Sequence, residues 1–182
     1  MEVTSTSAAN DESVMSIKRH VVYFYGPSGS GRTHAAMEWL INQMQKNHEE
    51  APIDEVSIDH QEIAGYTGSK YVLMDPWDMR DLSLWHWCRL FSDEEWYLAE
   101  EGMDEWWNAE YIALVGEKDP SDFGDYGIFP FETEHVAQHF ETYWRLEKSS
   151  ENPEEAFYLK EEMPVDELLK VLKFLSDTYY PN

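Results

Sequence analysis

Three short apolar runs punctuate the chain, at residues 21–25, 71–74 and 111–115. Each is too short for a helix, is bounded by Gly, Asp or other polar residues, and predicts a strand buried on both faces. A weaker strand signal lies at 56–58, after an acidic loop at 49–54 that contains Pro52. Gly65 and Gly68 bracket a turn. Helical periodicity begins at residue 33: over 33–47, Ala36, Leu40, Ile41 and Met44 share a face, with Trp39 beside it. Residues 82–91 include a second helix. Residues 93–107 are acidic, interleaved with Trp96, Trp106 and Trp107, and fit either helix or loop. Residues 116–131 read as loop. Residues 132–146 read as a helix, with Val136, Phe140, Tyr143 and Trp144 on one face, and 149–153 as a break. The clearest helix is 164–176. Pro164 suits its first turn, Asp166 and Glu167 follow there, and Val165, Leu168, Leu169, Leu172 and Leu175 line one side. Lys170 and Lys173 lie toward its C-terminal end, where the helix dipole favours cations. Strands alternating with helices predict a three-layer α/β fold with a mostly parallel sheet and helices on both faces.

The first run leads directly into Gly26, Pro27, Ser28, Gly29, Ser30, Gly31, Arg32 and Thr33. This is the P-loop spacing, with arginine where lysine is expected. Such a loop binds phosphates because its glycines let successive backbone N–H groups turn inward. The helix that follows adds its positive N-terminal end. Residues 26–33 are therefore the candidate binding site for a nucleoside triphosphate, although the loop itself carries no information about the base. A P-loop site also needs a carboxylate at the end of a neighbouring strand, which shares Mg²⁺ with the loop hydroxyl. Asp75 closes the second apolar run and is the candidate, so Thr33 and Asp75 form the expected metal pair. Arg32 and Asp75 are the candidate catalytic residues. Pro76 stands where hydrolytic P-loop proteins usually carry a second acid, and Gly116 and Glu117 occupy the end of the third run. Guanidinium is planar and larger than ammonium. Binding is expected to survive that exchange while hydrolysis becomes weak or absent.

Charge changes the picture next. Thirteen Lys and Arg against 37 Asp and Glu give a net charge of −24. The acids cluster: residues 91–110 hold eight and no Lys or Arg, and residues 147–167 hold eight against two lysines. So acidic a surface opposes nucleic acid, and weak nucleic acid binding by the monomer is expected. The clusters read either as solvated faces that aid solubility or as a docking face for a basic protein partner. The chain of 182 residues can bury a full core. It divides into an acidic tail expected to be disordered at 1–17, a P-loop domain at 18–146, and an acidic linker with a C-terminal amphipathic helix packed on the domain at 147–182. No apolar run is long enough to span a membrane. The first sixteen residues lack a secretory signal, and an intracellular protein is expected. Cys88, the single cysteine, excludes an internal disulfide and reads as a buried structural thiol.

The stretches VVYFYGPSGSGRTHAAMEWL, YVLMDPWDMRDLSLWHWCRLF and AEYIALVGEKDPSDF together resemble the helicase domain of replication-associated proteins from small circular single-stranded DNA viruses and related plasmids, which are superfamily 3 helicases. The resemblance covers residues 21 to 146, is specific at the P-loop, and implies a degenerate or specialised relative. It implies that ATP is the ligand, that Gly26, Gly29, Gly31, Arg32 and Thr33 hold phosphate and that Asp75 holds magnesium. It further implies self-association, with an arginine reaching a neighbour's site (Arg80, Arg89 or Arg145), and a setting in the cytoplasm or a host nucleus. The chain carries neither the His-x-His pair nor the Tyr-x-x-Lys motif of the endonuclease domain found in full-length relatives.

Two other readings remain open at this level. One is a non-catalytic interaction protein on the same scaffold, acting through its acidic face. The other is a small nucleoside or nucleotide kinase, which fits the size but lacks an arginine-rich lid. His135, His139 and Glu134 could make a metal site, but the spacing favours an ordinary helix face. Trp85, His86 and Trp87 could stack bases, but they lack basic neighbours beyond Arg80 and Arg89, and core packing is expected of them.

Overall fold

The computed structural model describes residues 17–101, 104–148 and 158–180. The tail expected at 1–17 lies outside them apart from Ile17, as does the break at 149–153. The elements run β1 (His20–Tyr25), α1 (Arg32–Lys46), β2 (Ile53–Asp59), β3 (Glu62–Ala64), β4 (Tyr71–Met74), α2 (Leu84–Phe91), β5 (Tyr111–Gly116), α3 (Pro130–Ala137), β6 (Phe140–Lys148), β7 (Tyr158–Met163) and α4 (Val165–Tyr179). Short 3₁₀ turns occupy Leu98–Glu101 and Pro120–Tyr126.

One seven-stranded sheet holds them in the order β3-β2-β4-β5-β1-β6-β7. The five inner strands are parallel, and β3 and β7 close the edges antiparallel. Alternation along each strand divides the core in two. Val22 and Phe24 of β1 face α1, packing with Ala35, Ala36 and Leu40. Val21, Tyr23 and Tyr25 face the opposite layer, built from α2, α3 and α4. The result is the expected three-layer α/β fold, with a mostly parallel sheet and helices on both faces. No helix among the described residues is long and apolar enough to cross a membrane.

The reading of 132–146 as one helix is corrected. The helix stops at Ala137 and β6 begins at Phe140. The cause is a bulge. Val21 pairs with Phe140 and Val22 with Thr142, so Glu141 is an extra residue in the ladder. Phe140 and Tyr143, three apart, thereby reach the same face of the sheet, which imitates a helical period. The stretch expected to be a linker contains β7, a charged edge strand paired to β6. The packing expected of the tryptophans holds for Trp87, which is fully buried, and fails for Trp85, which is 51% exposed.

Candidate functional site

Parallel strands deliver their carboxyl ends to one edge of the sheet, where ligands of open α/β folds are received. At that edge the loop after β1, Asp75 after β4, and Gly116 with Glu117 at the end of β5 converge. Gly26 sits at φ 151°, and a β-carbon there would lie 2.1 Å from the Leu146 carbonyl oxygen of β6. Only glycine lets the chain leave β1 so close to another backbone. Gly31, left-handed at φ 82°, caps α1, which has no side-chain cap and no acid in its first turn. The positive end of a fifteen-residue helix therefore faces the loop without a covalently attached anion. Ser30 donates its backbone N–H to the Pro27 carbonyl at 3.1 Å. Its hydroxyl is buried and has no hydrogen-bond partner among the described residues. Pro27, Ser28 and Gly29 are exposed at the tip.

Thr33 and Asp75, the two residues expected to share a cation, are in contact. Thr33 Oγ1 donates to Asp75 Oδ2 at 2.5 Å, across 42 residues of sequence, and both groups open to solvent. The placement of Asp75 on a strand beside β1 is corrected: β5 lies between β1 and β4. The contact forms because α1 crosses over β5 on its way from β1 to β2, packing on β1, β5 and β4. This crossover carries Thr33 toward the end of β4.

Arg32 takes an unexpected direction. Its guanidinium, with 15% side-chain exposure, donates from Nη1 to the Gly116 carbonyl at 2.5 Å, and Nη2 lies 4.0 Å from Glu117 Oε1. In this structure Arg32 is thus held at the end of β5. Gly116 and Glu117 matter here as partners of Arg32, a role with no counterpart in the sequence pattern.

Beside the Thr33–Asp75 pair opens a cavity of about 460 Å³, whose lining includes Arg32, Asp75, Trp77, Asp78, Arg80 and Tyr126. Arg80 grips Asp78 through Nε at 2.9 Å and Nη2 at 2.5 Å, which holds the Asp78 carboxyl below the usual carboxylate range. Burial, reinforced by the charge of Asp78, raises Asp81. Arg80 also lies 4.6 Å from the centroid of the Tyr126 ring, and Lys118 Nζ lies 4.2 Å from it. Behind the cavity, Tyr23 donates to the Lys118 carbonyl at 2.8 Å and Tyr25 to Asp119 Oδ2 at 2.6 Å. Burial raises both phenols above the ordinary tyrosine range, with the Asp119 bond adding to the effect at Tyr25. They act as neutral donors that fasten the loop after β5. Sequence reasoning missed both, although tyrosines two apart in a buried strand share a face and must find polar partners for their hydroxyls.

The three arginines considered for a neighbour's site are each engaged within the chain. Arg80 holds Asp78, Arg89 stacks over Trp96, and Arg145 pairs with Glu147 and Glu161. His135 Nδ1 lies 2.6 Å from the Phe131 carbonyl of its own helix. Cys88 is partly buried, its Sγ facing the His135 carbonyl, and burial raises its pKa. Chemically, the edge offers a helix start without a side-chain cap, a hydroxyl–carboxylate pair suited to a hard cation, and no second carboxylate at residue 76. The chain matches no protein-family model, and no curated protein matches it significantly.

Proposed function

We propose that this chain binds a nucleoside triphosphate with Mg²⁺ at residues 26–33 and hydrolyses it slowly or not at all, as a specialised relative of the replication-helicase domains it resembles. The observation that carries the reading is the 2.5 Å contact between Thr33 and Asp75. A hydroxyl at the first turn of α1 and a carboxylate on a strand two positions away in the sheet have no need to meet for the fold alone. The residues present fit the ligand. The Ser30 hydroxyl is buried without a hydrogen-bond partner among the described residues, and α1 begins with neither a side-chain cap nor an acid in its first turn. Thr33 Oγ1 and the Asp75 carboxylate are the groups that would hold Mg²⁺, which supplies charge neutralisation at the phosphate oxygens. The single cysteine agrees with a reducing, intracellular setting.

Calorimetric titration with ATP and GTP, with and without Mg²⁺, tests this. Binding is expected, tighter with Mg²⁺. Thr33→Ala should remove at least tenfold of the Mg²⁺-dependent gain, about 1.4 kcal/mol. No binding of either nucleotide at millimolar concentration would overturn the proposal.

Turnover is expected well below ~1 s⁻¹, the low end of ordinary enzyme rates. Pro76 provides no acid, and Asp78, the nearest further one, is committed to Arg80. Restoring the usual chemistry with Arg32→Lys and Pro76→Asp together should raise turnover about tenfold, equivalent to ~1.4 kcal/mol of barrier. A natural chain that already turns over at enzyme-like rates contradicts the claim of degeneracy.

A further inference from the structure

The segment between α2 and β5 builds an exposed face remote in sequence from the 26–33 loop. Residues 96–98 and 105–107 run antiparallel: Trp107 N donates to Trp96 O at 2.7 Å, Leu98 N donates to Glu105 O at 2.8 Å, and Tyr97 is bridged to Trp106. Alternation splits the side chains. Trp96, Leu98 and Trp107 point inward and are at most 5% exposed. Tyr97 and Trp106 point outward, 38% and 51% exposed, with ring centroids 5.1 Å apart. Trp85, also half exposed, packs edge-on against Trp96 at 5.0 Å. Asp93, Glu94, Glu95 and Asp104 are exposed along the same segment, and residues 90–117 contain no Lys or Arg. Arg19 ties the base of the ladder through the carbonyls of Ser92, Glu94, Trp107 and Ala109, so the face is preorganised.

We propose that this aromatic, carboxylate-rimmed ladder docks an arginine-bearing basic segment of a partner protein. The proposal stands independently of nucleotide binding. Carboxylates attract a guanidinium, and the faces of Trp and Tyr accept it by stacking. The chain already uses this contact internally: the Arg89 guanidinium lies 4.3 Å from the centroid of the Trp96 ring and 5.2 Å from that of Trp85. Single-stranded nucleic acid could stack on the same rings, but its phosphates need interleaved cations; residues 90–117 supply none, and Arg89 at their edge is already stacked on Trp96.

The test uses the full chain and three probes, nona-arginine, nona-lysine and an oligodeoxythymidylate, followed by tryptophan fluorescence and calorimetry. Nona-arginine is expected to bind most tightly, more weakly as salt rises. Tyr97→Ala with Trp106→Ala leaves net charge unchanged and should weaken nona-arginine at least tenfold while erasing its advantage over nona-lysine. Glu94→Gln with Glu95→Gln should weaken both peptides alike. Should the double alanine variant lose its fold, Trp106→Leu, which keeps apolar bulk without a π face, should show the same loss of arginine preference. Peptide binding that ignores removal of the rings overturns the proposal, because it reports only attraction to an acidic protein. Tighter binding of the oligonucleotide at physiological salt also overturns it, and makes the face a nucleic acid surface.

Discussion

Gly26→Ala is expected to abolish triphosphate binding, while Gly29→Ala, three residues along the same loop, weakens it only modestly. Both glycines have positive φ, 151° and 77°. Their surroundings differ. A β-carbon on Gly26 would lie 2.1 Å from the Leu146 carbonyl oxygen and 3.1 Å from its carbon. Both atoms are backbone of β6, which is hydrogen-bonded to β1 on one side and β7 on the other. Neither can swing aside, so the loop itself must move, and with it the N–H groups that would face the phosphates. A loss of at least a hundredfold in affinity follows, about 2.7 kcal/mol. At Gly29 the new methyl meets nothing within 4 Å. The cost there is left-handed backbone alone, roughly 1–2 kcal/mol, shared between stability and binding. Calorimetric affinities and thermal midpoints of the two variants provide the comparison. Equal affinities for the two variants would show that the loop does not hold the ligand as proposed.

The largest effect on stability is expected from Arg19→Met. Arg19 is 7% exposed. Its Nε donates to the Ala109 carbonyl at 3.1 Å, Nη1 to the Ser92 carbonyl and to Glu94 O at 2.8 Å, and Nη2 to Trp107 O at 3.0 Å. Its own N–H donates to Asp93 Oδ1 at 2.9 Å. Burial lowers its pKa, opposed by the charge of Asp93, yet an arginine stays charged across the working range. One guanidinium therefore fastens both ends of the long excursion between α2 and β5. Methionine keeps the stem and leaves four carbonyls without their donor. A hydrogen bond to a charged group contributes ~1.5–3 kcal/mol, so losing the donor of all four carbonyls at once is expected to cost several kcal/mol, a large share of the ~5–15 kcal/mol typical of a domain. Arg19→Lys retains charge without the fork and should fall between. Urea unfolding gives the magnitude, and hydrogen exchange should show faster opening across residues 92–109. A destabilisation below ~1 kcal/mol, in the range of exposed ion pairs, would mean that the excursion holds itself in place.

Elements with a single unambiguous pattern were legible in the sequence. The apolar runs of β1, β4 and β5 emerged within one residue of their ends, because a strand buried on both faces is written as a continuous apolar string. The helix α4 emerged because its stripe, first-turn acids and leading proline agree. Elements whose pattern depends on a neighbour were not legible. The hairpin strand β3 is three residues long and has meaning only beside β2. The charged strand β7 owes its extended state to β6. The bulge at Glu141 reset the period of β6.

The candidate site divides in the same way. Its glycines, hydroxyl and carboxylate could be named from spacing, because backbone reach and helix-start chemistry are local properties carried by consecutive residues. Where they point was decided by the tertiary structure. The crossover of α1 over β5 brought Thr33 to Asp75. The end of β5 captured Arg32, and Tyr23 and Tyr25 pinned the loop that follows. Arg19 has no sequence signature at all, since it binds four backbone carbonyls contributed by residues 73 to 90 positions away. Apolar periodicity is a one-dimensional record of burial and can be read along the chain. A hydrogen bond between groups far apart in sequence has no such record, because any residue presents a carbonyl and only the folded path determines which one arrives.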